Sequence, residues 1–390
     1  MGAAPGVPAV AQAPDGWEAG VQALLDRRAG AVAAGDREAF LDTLDPLADE
    51  TFRRDEARAF DGLASVPLDS YDLRLRTDDV HDLSVAVPDD RGGADEIRIP
   101  LVEERLRITG VDDRDGVSDL WYTFVRRGAE WFVNADDDVA DLGLITQVHL
   151  WSSGPVVFTE GARTVVMSSP EDRERAATLL EITEEGFDRL RQTLDWAAPP
   201  KVLVVLPQST KQLEEILQTT FDLSNFVAFA SADVDRDEAV QGWGWTAPRV
   251  YAQESNLAGH SRDFQVETLH HELVHVVAFD HAGPFVPNWL HEGQADFLAL
   301  GRPSEPGTLP LDHQFVTGGR DRILRSYRES TSAAAFLAEA KGADAVAALF
   351  DVTGARRVVA GTWRYHLDQA MREVYGAPLD QFEADWDGGR

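Results

Sequence analysis

Thr268–Leu300 reads TLHHELVHVVAFDHAGPFVPNWLHEGQADFLAL and carries five of the ten histidines in the chain. Its first half sets His271 and His275 four residues apart, one turn of an α-helix, so both imidazoles share a face and can reach a single ion. Glu272 lies about 100° round the helix from His271, beside such an ion and not on it. The residue types fit a definite chemistry. A zinc ion with three protein ligands keeps a fourth position for water, draws that water's pKa toward neutrality and polarises a carbonyl group. A neighbouring carboxylate takes the water's proton as the nucleophile attacks and passes it to the leaving amine. The chain has no cysteine, which excludes thiolate metal sites, disulfides and cysteine nucleophiles and leaves His, Asp and Glu to hold any metal.

Two residues compete to be the third ligand. His281 follows His275 by six positions, the spacing of the metzincin motif H-E-x-x-H-x-x-G-x-x-H. That motif turns sharply at a glycine where this chain has Ala278, and Met167 and Met371 are badly placed for its methionine turn. Glu292 is the better candidate. Trp289, Leu290, Ala295, Phe297 and Leu298 give its segment a helical apolar pattern, so a second helix can present Glu292 to the histidine pair. Asp296, one turn later, is where a carboxylate can take the N–H of a ligating histidine and fix its tautomer.

HELVH and HEGQAD, with sixteen residues between His275 and Glu292, resemble the gluzincin zinc metallopeptidases, which include thermolysin-like enzymes and zinc aminopeptidases. PNWLHEGQADF is most similar to the bacterial branch whose second helix reads P-x-W-L-x-E-G-x-A. The resemblance implies that His271, His275 and Glu292 bind Zn2+, that Glu272 is the general base and acid, and that Asp296 is the partner of His271. It also implies an oxyanion-stabilising side chain from the helical part. Tyr327 is chosen for that role, with His313, Tyr365 and His366 as rivals. RVYAQES sits where such enzymes carry the sheet edge that pairs with an extended substrate. His270 is expected to be an exposed neighbour, and His281 and His291 are left without an assigned role.

Upstream, WEAGVQALLDRRAGAVAAGDREAFLDTL reads as two helices broken at Gly35, with Asp36 as a cap. Beyond Pro67 come alternating strands, YDLRLRT, IRIPLVEERLRITG and a hairpin LWYTFVRRGAEWFVNADD turning at RRGAE. Helices followed by antiparallel strands predict one curved sheet with helices on one face. With GDREAF, that order resembles the cone-shaped fold of the nuclear-transport-factor-two-like superfamily. After residue 142 strands alternate with helices: GPVVFTEGARTVVMSS, a helix from Pro170 to Leu194, KVLVVLP, the capped STKQLEEILQTTF, FVAFAS and PRVYAQE. DVDRDEAVQGWGWTAP reads as an exposed loop, and HLDQAMREVYGAPLDQFEADWDG as helix, glycine turn and helix.

The fold class expected is α+β: residues 1–14 a flexible leader, 15–142 an accessory domain, and 143–390 a catalytic domain with a mixed-sheet lobe and a helical lobe. A net charge of -32 repels phosphate backbones, so nucleic acid is not an expected partner. No apolar run is long enough to cross a bilayer. MGAAPGVPAVAQAPDG resembles the spacer that follows a removed signal or lipid anchor, an extracellular or cell-envelope expectation. The function expected is a zinc-dependent peptidase acting on peptides or proteins, probed first as an endopeptidase because no amine-anchoring motif is visible. The alternative is a peptide-binding or structural protein that kept the fold and lost the activity. Oligomeric state stays open.

Overall fold

The computed structural model of the chain describes residues 16–76, 83, 90–219, 223–224, 226–239, 244–283, 285–301, 303–305, 311, 320–356 and 362–388. The expected leader and His313 lie outside them. The protein is α+β and divides into two units, Met1–Ile108 with Val117–Pro155, and Thr109–Gly116 with Val156–Arg390.

In the first unit α1 (Trp17–Ala34) ends as expected at Gly35, whose φ of 64° suits a residue without Cβ. Asp36 then accepts the Ala39 amide and starts α2 (Arg37–Leu41). A third helix, α3 (Glu50–Leu63), is not among the expected elements. Its ETFRRDEARAFDGL is mostly charged, and only Phe60 and Leu63 give it a buried apolar edge, so the apolar period is faint. Asp49 caps it, and Glu56 pairs with the buried Arg28 of α1.

The strands are β1 (Leu68–Leu75), β2 (Glu96–Arg98), β3 (Val102–Ile108), β4 (Gly116–Leu120), β5 (Thr123–Arg127) and β6 (Glu130–Ala135). They form two three-stranded sheets, β1-β3-β4 and β2-β5-β6, where one was expected. Two local features divide them. Pro100, with no amide to donate, separates β2 from β3, and the Trp121 amide donates to the Thr146 hydroxyl at 2.9 Å, parting β4 from β5. The β5–β6 hairpin turns at Gly128 as predicted. The unit runs on to Pro155, past the expected limit of 142. Leu150–Ser153 forms a 3-10 turn with Trp151 buried, and a Cβ on Gly62 of α3 would lie only 1.9 Å from the Trp151 carbonyl oxygen.

The second unit opens with β7 (Val157–Glu160), β8 (Thr164–Ser168), α4 (Arg173–Thr193), β9 (Val202–Val205), α5 (Thr210–Ile216), β10 (Ala228–Val234), α6 (Arg236–Ala239) and β11 (Trp245–Ala252). The sheet order is β10-β11-β9-β8-β7, with β8, β9 and β11 parallel to one another and both outer pairs antiparallel. This corrects two expectations. RVYAQES lies in β11, which is hydrogen-bonded on both sides, so the strand at the edge is β10. The stretch expected to be a loop contributes residues to β10, α6 and β11, because Asp233 pairs with Thr246 and Val234 with Trp245.

Helices complete the unit: α7 (Glu254–Leu257), α8 (Arg262–Ala278), α9 (Asn288–Leu300), α10 (Arg320–Lys341), α11 (Asp344–Gly354), α12 (Trp363–Val374) and α13 (Leu379–Gly388). One core joins the sheet to α4 and α8 through Val204, Val250, Leu179, Phe187, Leu269 and Leu273. A second joins the later helices through Trp289, Leu337, Phe350, Met371, Phe382 and Trp386. Side chains of this kind each stabilise the fold by roughly 1.5–3 kcal/mol when fully buried. Among the described residues no helix is long and apolar enough to cross a membrane.

Gly293 sets the spacing of α9 and α10, since a Cβ there would sit 2.5 Å from the Ser330 carbonyl oxygen and 3.4 Å from the Ala334 Cβ. Gly293→Ala is expected to cost about 1–3 kcal/mol, seen as a lower midpoint in urea unfolding without a change in slope.

Candidate metal centre

Ser261 caps α8 by accepting the Phe264 amide, and the helix then runs unbroken through His271, Glu272 and His275 to Ala278. Leu269, Leu273, Val276 and Val277 anchor it in the first core, which leaves the histidine pair facing α9. Glu292 sits in the second turn of α9. His271 Nε2, His275 Nε2 and Glu292 Oε2 meet there, with separations of 3.1 Å between the imidazole nitrogens and of 3.2 and 3.4 Å from His271 and His275 to the carboxylate oxygen. Ligands about 2.0–2.1 Å from a tetrahedral cation lie about 3.3 Å apart, so the three atoms fit one ion. Glu292 Oε2 is buried without an aligned hydrogen-bond donor, a costly state for a carboxylate oxygen unless a cation meets it. His271, His275 and Glu292 form a possible metal-binding group among the described residues.

Asp296 orients the set. One of its oxygens accepts from His271 Nδ1–H at 2.9 Å, so the Nε2 lone pair points to the cluster. The other accepts from the Thr331 hydroxyl on α10 at 2.7 Å. Thr331 was not singled out in the sequence, although its spacing of one turn from Tyr327 is the signal that would have found it.

The electrostatics agree with a cation site. Burial works against a charged His271, yet its hydrogen bond to Asp296 and the Glu292 carboxylate close to its other nitrogen outweigh burial and raise its pKa well above the usual value. Burial opposes ionisation of Glu292 too, but the positive imidazoles hold it well below the usual carboxylate range. Glu272 is buried, which pushes its pKa up, partly countered by His271 and His275 and by the Ala230 amide of β10. Tyr327 is half-buried on α10; burial first, then the charges of Glu292, Glu272 and Asp296, push its hydroxyl well up, so it remains an O–H donor.

The other candidates lie elsewhere. α8 ends at Ala278 and the chain turns there, the His281 amide donating to the Ala278 carbonyl at 3.0 Å, but the turn takes the His281 ring onto Trp196 at 4.0 Å and to Asp351 Oδ1 at 2.5 Å, not to the cluster. Tyr365 is 55% exposed, and the buried His366 stacks on Phe285. His270, expected to be exposed, is 1% exposed against α4, where Gly186 admits its backbone and its Nε2 lies 3.1 Å from the Thr193 hydroxyl. His291 borders the cluster, its ring centroid 6.4 Å from that of His275, and burial pushes its pKa down to about 4. The chain matches no protein-family model, and a search of curated proteins finds no match.

Titration with Zn2+ followed by elemental mass spectrometry is expected to give one ion per chain in the parent and in His281→Ala, and none in His271→Ala or Glu292→Ala. Asp296→Ala should weaken binding roughly 10–100-fold. A separate expectation concerns acid stability. Burial, helped by Arg189 and His271, pushes the His270 pKa down from 6.5 to about 4. Between those values the unfolded chain binds a proton that the folded chain does not, so stability falls as pH falls. In urea unfolding of metal-free protein, His270→Gln should lose less stability than the parent on that descent, by on the order of 2–3 kcal/mol.

Proposed function

We propose that this chain is a zinc-dependent peptidase of the gluzincin kind. The observation that carries the reading is the meeting of His271 Nε2, His275 Nε2 and Glu292 Oε2 at tetrahedral-ligand separations, with the Glu272 carboxylate on the same helix in their field. The donor set suits zinc, since two imidazoles and one carboxylate leave a position for water. Zinc, when bound, supplies a Lewis acid that acidifies water and polarises a substrate carbonyl.

The chain's own residues do the rest. Glu272, with its pKa raised by burial, is suited to take a proton from the attacking water near neutral pH. The resulting hydroxide adds to the peptide carbonyl carbon, Glu272 passes the proton to the amide nitrogen, and the C–N bond breaks; the remaining proton of the new carboxyl group then moves to the amine, leaving a carboxylate and an ammonium. Tyr327, which keeps its proton, is the donor assigned to the developing oxyanion in this reading. Asp296 holds His271 in the tautomer that ligation requires.

The substrate would be an extended segment of peptide or protein added along β10, the outer strand of the sheet among the described residues, whose Ala230 amide reaches Glu272. Main-chain pairing of that kind is indifferent to sequence and suits cleavage within a chain.

Zinc-loaded protein is expected to cleave fluorescein-labelled casein, and Glu272→Gln to keep its zinc and lose at least about 1,000-fold in rate. Zinc binding without any cleavage by the parent would instead mark a peptide-binding protein on this scaffold.

A further inference from the structure

A cavity in the first unit takes no part in the proposed reaction. It has a volume of about 400 Å3 and is lined by α1 and by the turn of the β5–β6 hairpin. Trp17, Gly20, Leu24 and Arg27 recur at helical spacing along it, so one face of α1 makes a wall about 15 Å long. Glu130 and Trp131 line it from the hairpin. The volume suits a small ligand, at the lower end of the range for such sites.

Gly20 opens this cavity to a hydrogen-bond donor. A Cβ there would lie 2.5 Å from Trp131 Nε1 and 2.6 Å from Trp131 Cδ1, so the N–H edge of the indole rests against bare backbone in the wall. Trp131 is 6% exposed, and among the described residues its N–H has no hydrogen-bond partner. A buried indole N–H ordinarily finds an acceptor. Here a molecule in the cavity can supply it.

The charges of the lining decide what that molecule is. Glu96 is taken up by Arg98 with one oxygen and by Arg126 with the other, the latter at 3.1 Å, and Arg98 in turn lies 5.5 Å over the half-buried Trp17 ring. Arg27 and Glu130 remain, one charge of each sign, exposed and with no ion pair among the described residues. A ligand of one sign is repelled by one of them, whereas a ligand with both signs is attracted by both. An extended peptide covers about 3.3–3.6 Å per residue, so roughly four residues match the wall.

We propose that this cavity binds a short zwitterionic peptide, with its C-terminal carboxylate at Arg27, its amine at Glu130, a main-chain carbonyl accepting the Trp131 N–H and an apolar side chain against Trp17. The site belongs to the first unit and does not rest on the peptidase reading.

Calorimetric titration with Ala-Ala-Phe-Ala, its N-acetylated form and its C-terminal amide tests this on the full-length, zinc-loaded protein carrying Glu272→Gln, so that the peptide stays whole. The free peptide is expected to bind with a Kd on the order of 0.1–1 mM, and either blocking group to weaken it at least about threefold. Arg27→Gln should bind the amide as well as the free peptide, and Glu130→Gln should do the same for the acetylated form, since each variant removes the partner of the blocked end. Trp131→Phe keeps a ring and loses the N–H, and should weaken all three peptides about fivefold. Both charged side chains are exposed, so parental urea midpoints are expected in Arg27→Gln and Glu130→Gln. Equal binding of free and blocked peptides by the parent overturns recognition of the two ends. An unchanged effect of the blocking groups in Arg27→Gln and Glu130→Gln places the peptide elsewhere, the metal centre included, and overturns the site. No binding heat up to about 10 mM free peptide overturns it as well.

Discussion

One carboxylate fastens three helices. Asp296 stands on α9, accepts His271 Nδ1–H from α8 with one oxygen and accepts the Thr331 hydroxyl from α10 with the other. The first bond decides which nitrogen of His271 faces the cluster. The second sets the rotation of α10, and because Tyr327 precedes Thr331 by one turn, it directs Tyr327 to the same centre. The second bond is made where Gly293, on the adjoining part of α9, lets the α10 backbone come close to its own. The ligand geometry thus depends on helix packing, and the packing depends on a missing side chain.

Charge explains why the centre favours a cation. Glu272, Glu292 and Asp296 bring three negative charges, and His271 and His275 would bring none as neutral ligands of a metal. A dication would leave a single negative charge, and protonation of Glu272 during turnover would remove that one. Without positive charge, three carboxylates close together in a half-buried site repel strongly, since the effective dielectric there is well below that of water. The raised pKa of His271 and the lowered pKa of Glu292 express the same demand. The overall charge of -32 contributes little to this, because exposed charges are screened within about 10 Å.

Local features of the second unit were legible because local rules produce them. The four-residue spacing of His271 and His275 and the apolar pattern about Trp289 are each properties of one helix, and the structure has those helices. The strands β7 to β11 were likewise readable from short apolar runs. What escaped was set by contacts distant in sequence. The position of β11 inside the sheet depends on its pairing with β9 and β10, which no window around RVYAQES contains. His270 is buried because Gly186, far upstream, opens a place for it. The helix α3 was missed for another reason: its hold on the first unit is partly a buried ion pair, Glu56 with Arg28, and apolar periodicity does not register such a pair.

The two units also differ in how their buried polar groups end. In the first, Arg28 is 2% exposed, donates to Thr43, pairs with Glu56 and lies 3.8 Å over the Phe40 ring. Glu104 accepts from the Tyr71 hydroxyl at 2.9 Å with one oxygen and meets His149 Nε2 at 2.8 Å with the other. Charges that find partners inside the chain make a network whose effect is rigidity, and nothing in it is left to act on a ligand. At the centre between α8 and α9 the pattern is different: Glu292 Oε2 faces two imidazole nitrogens with no aligned donor. The fold tolerates that arrangement where a cation can resolve it.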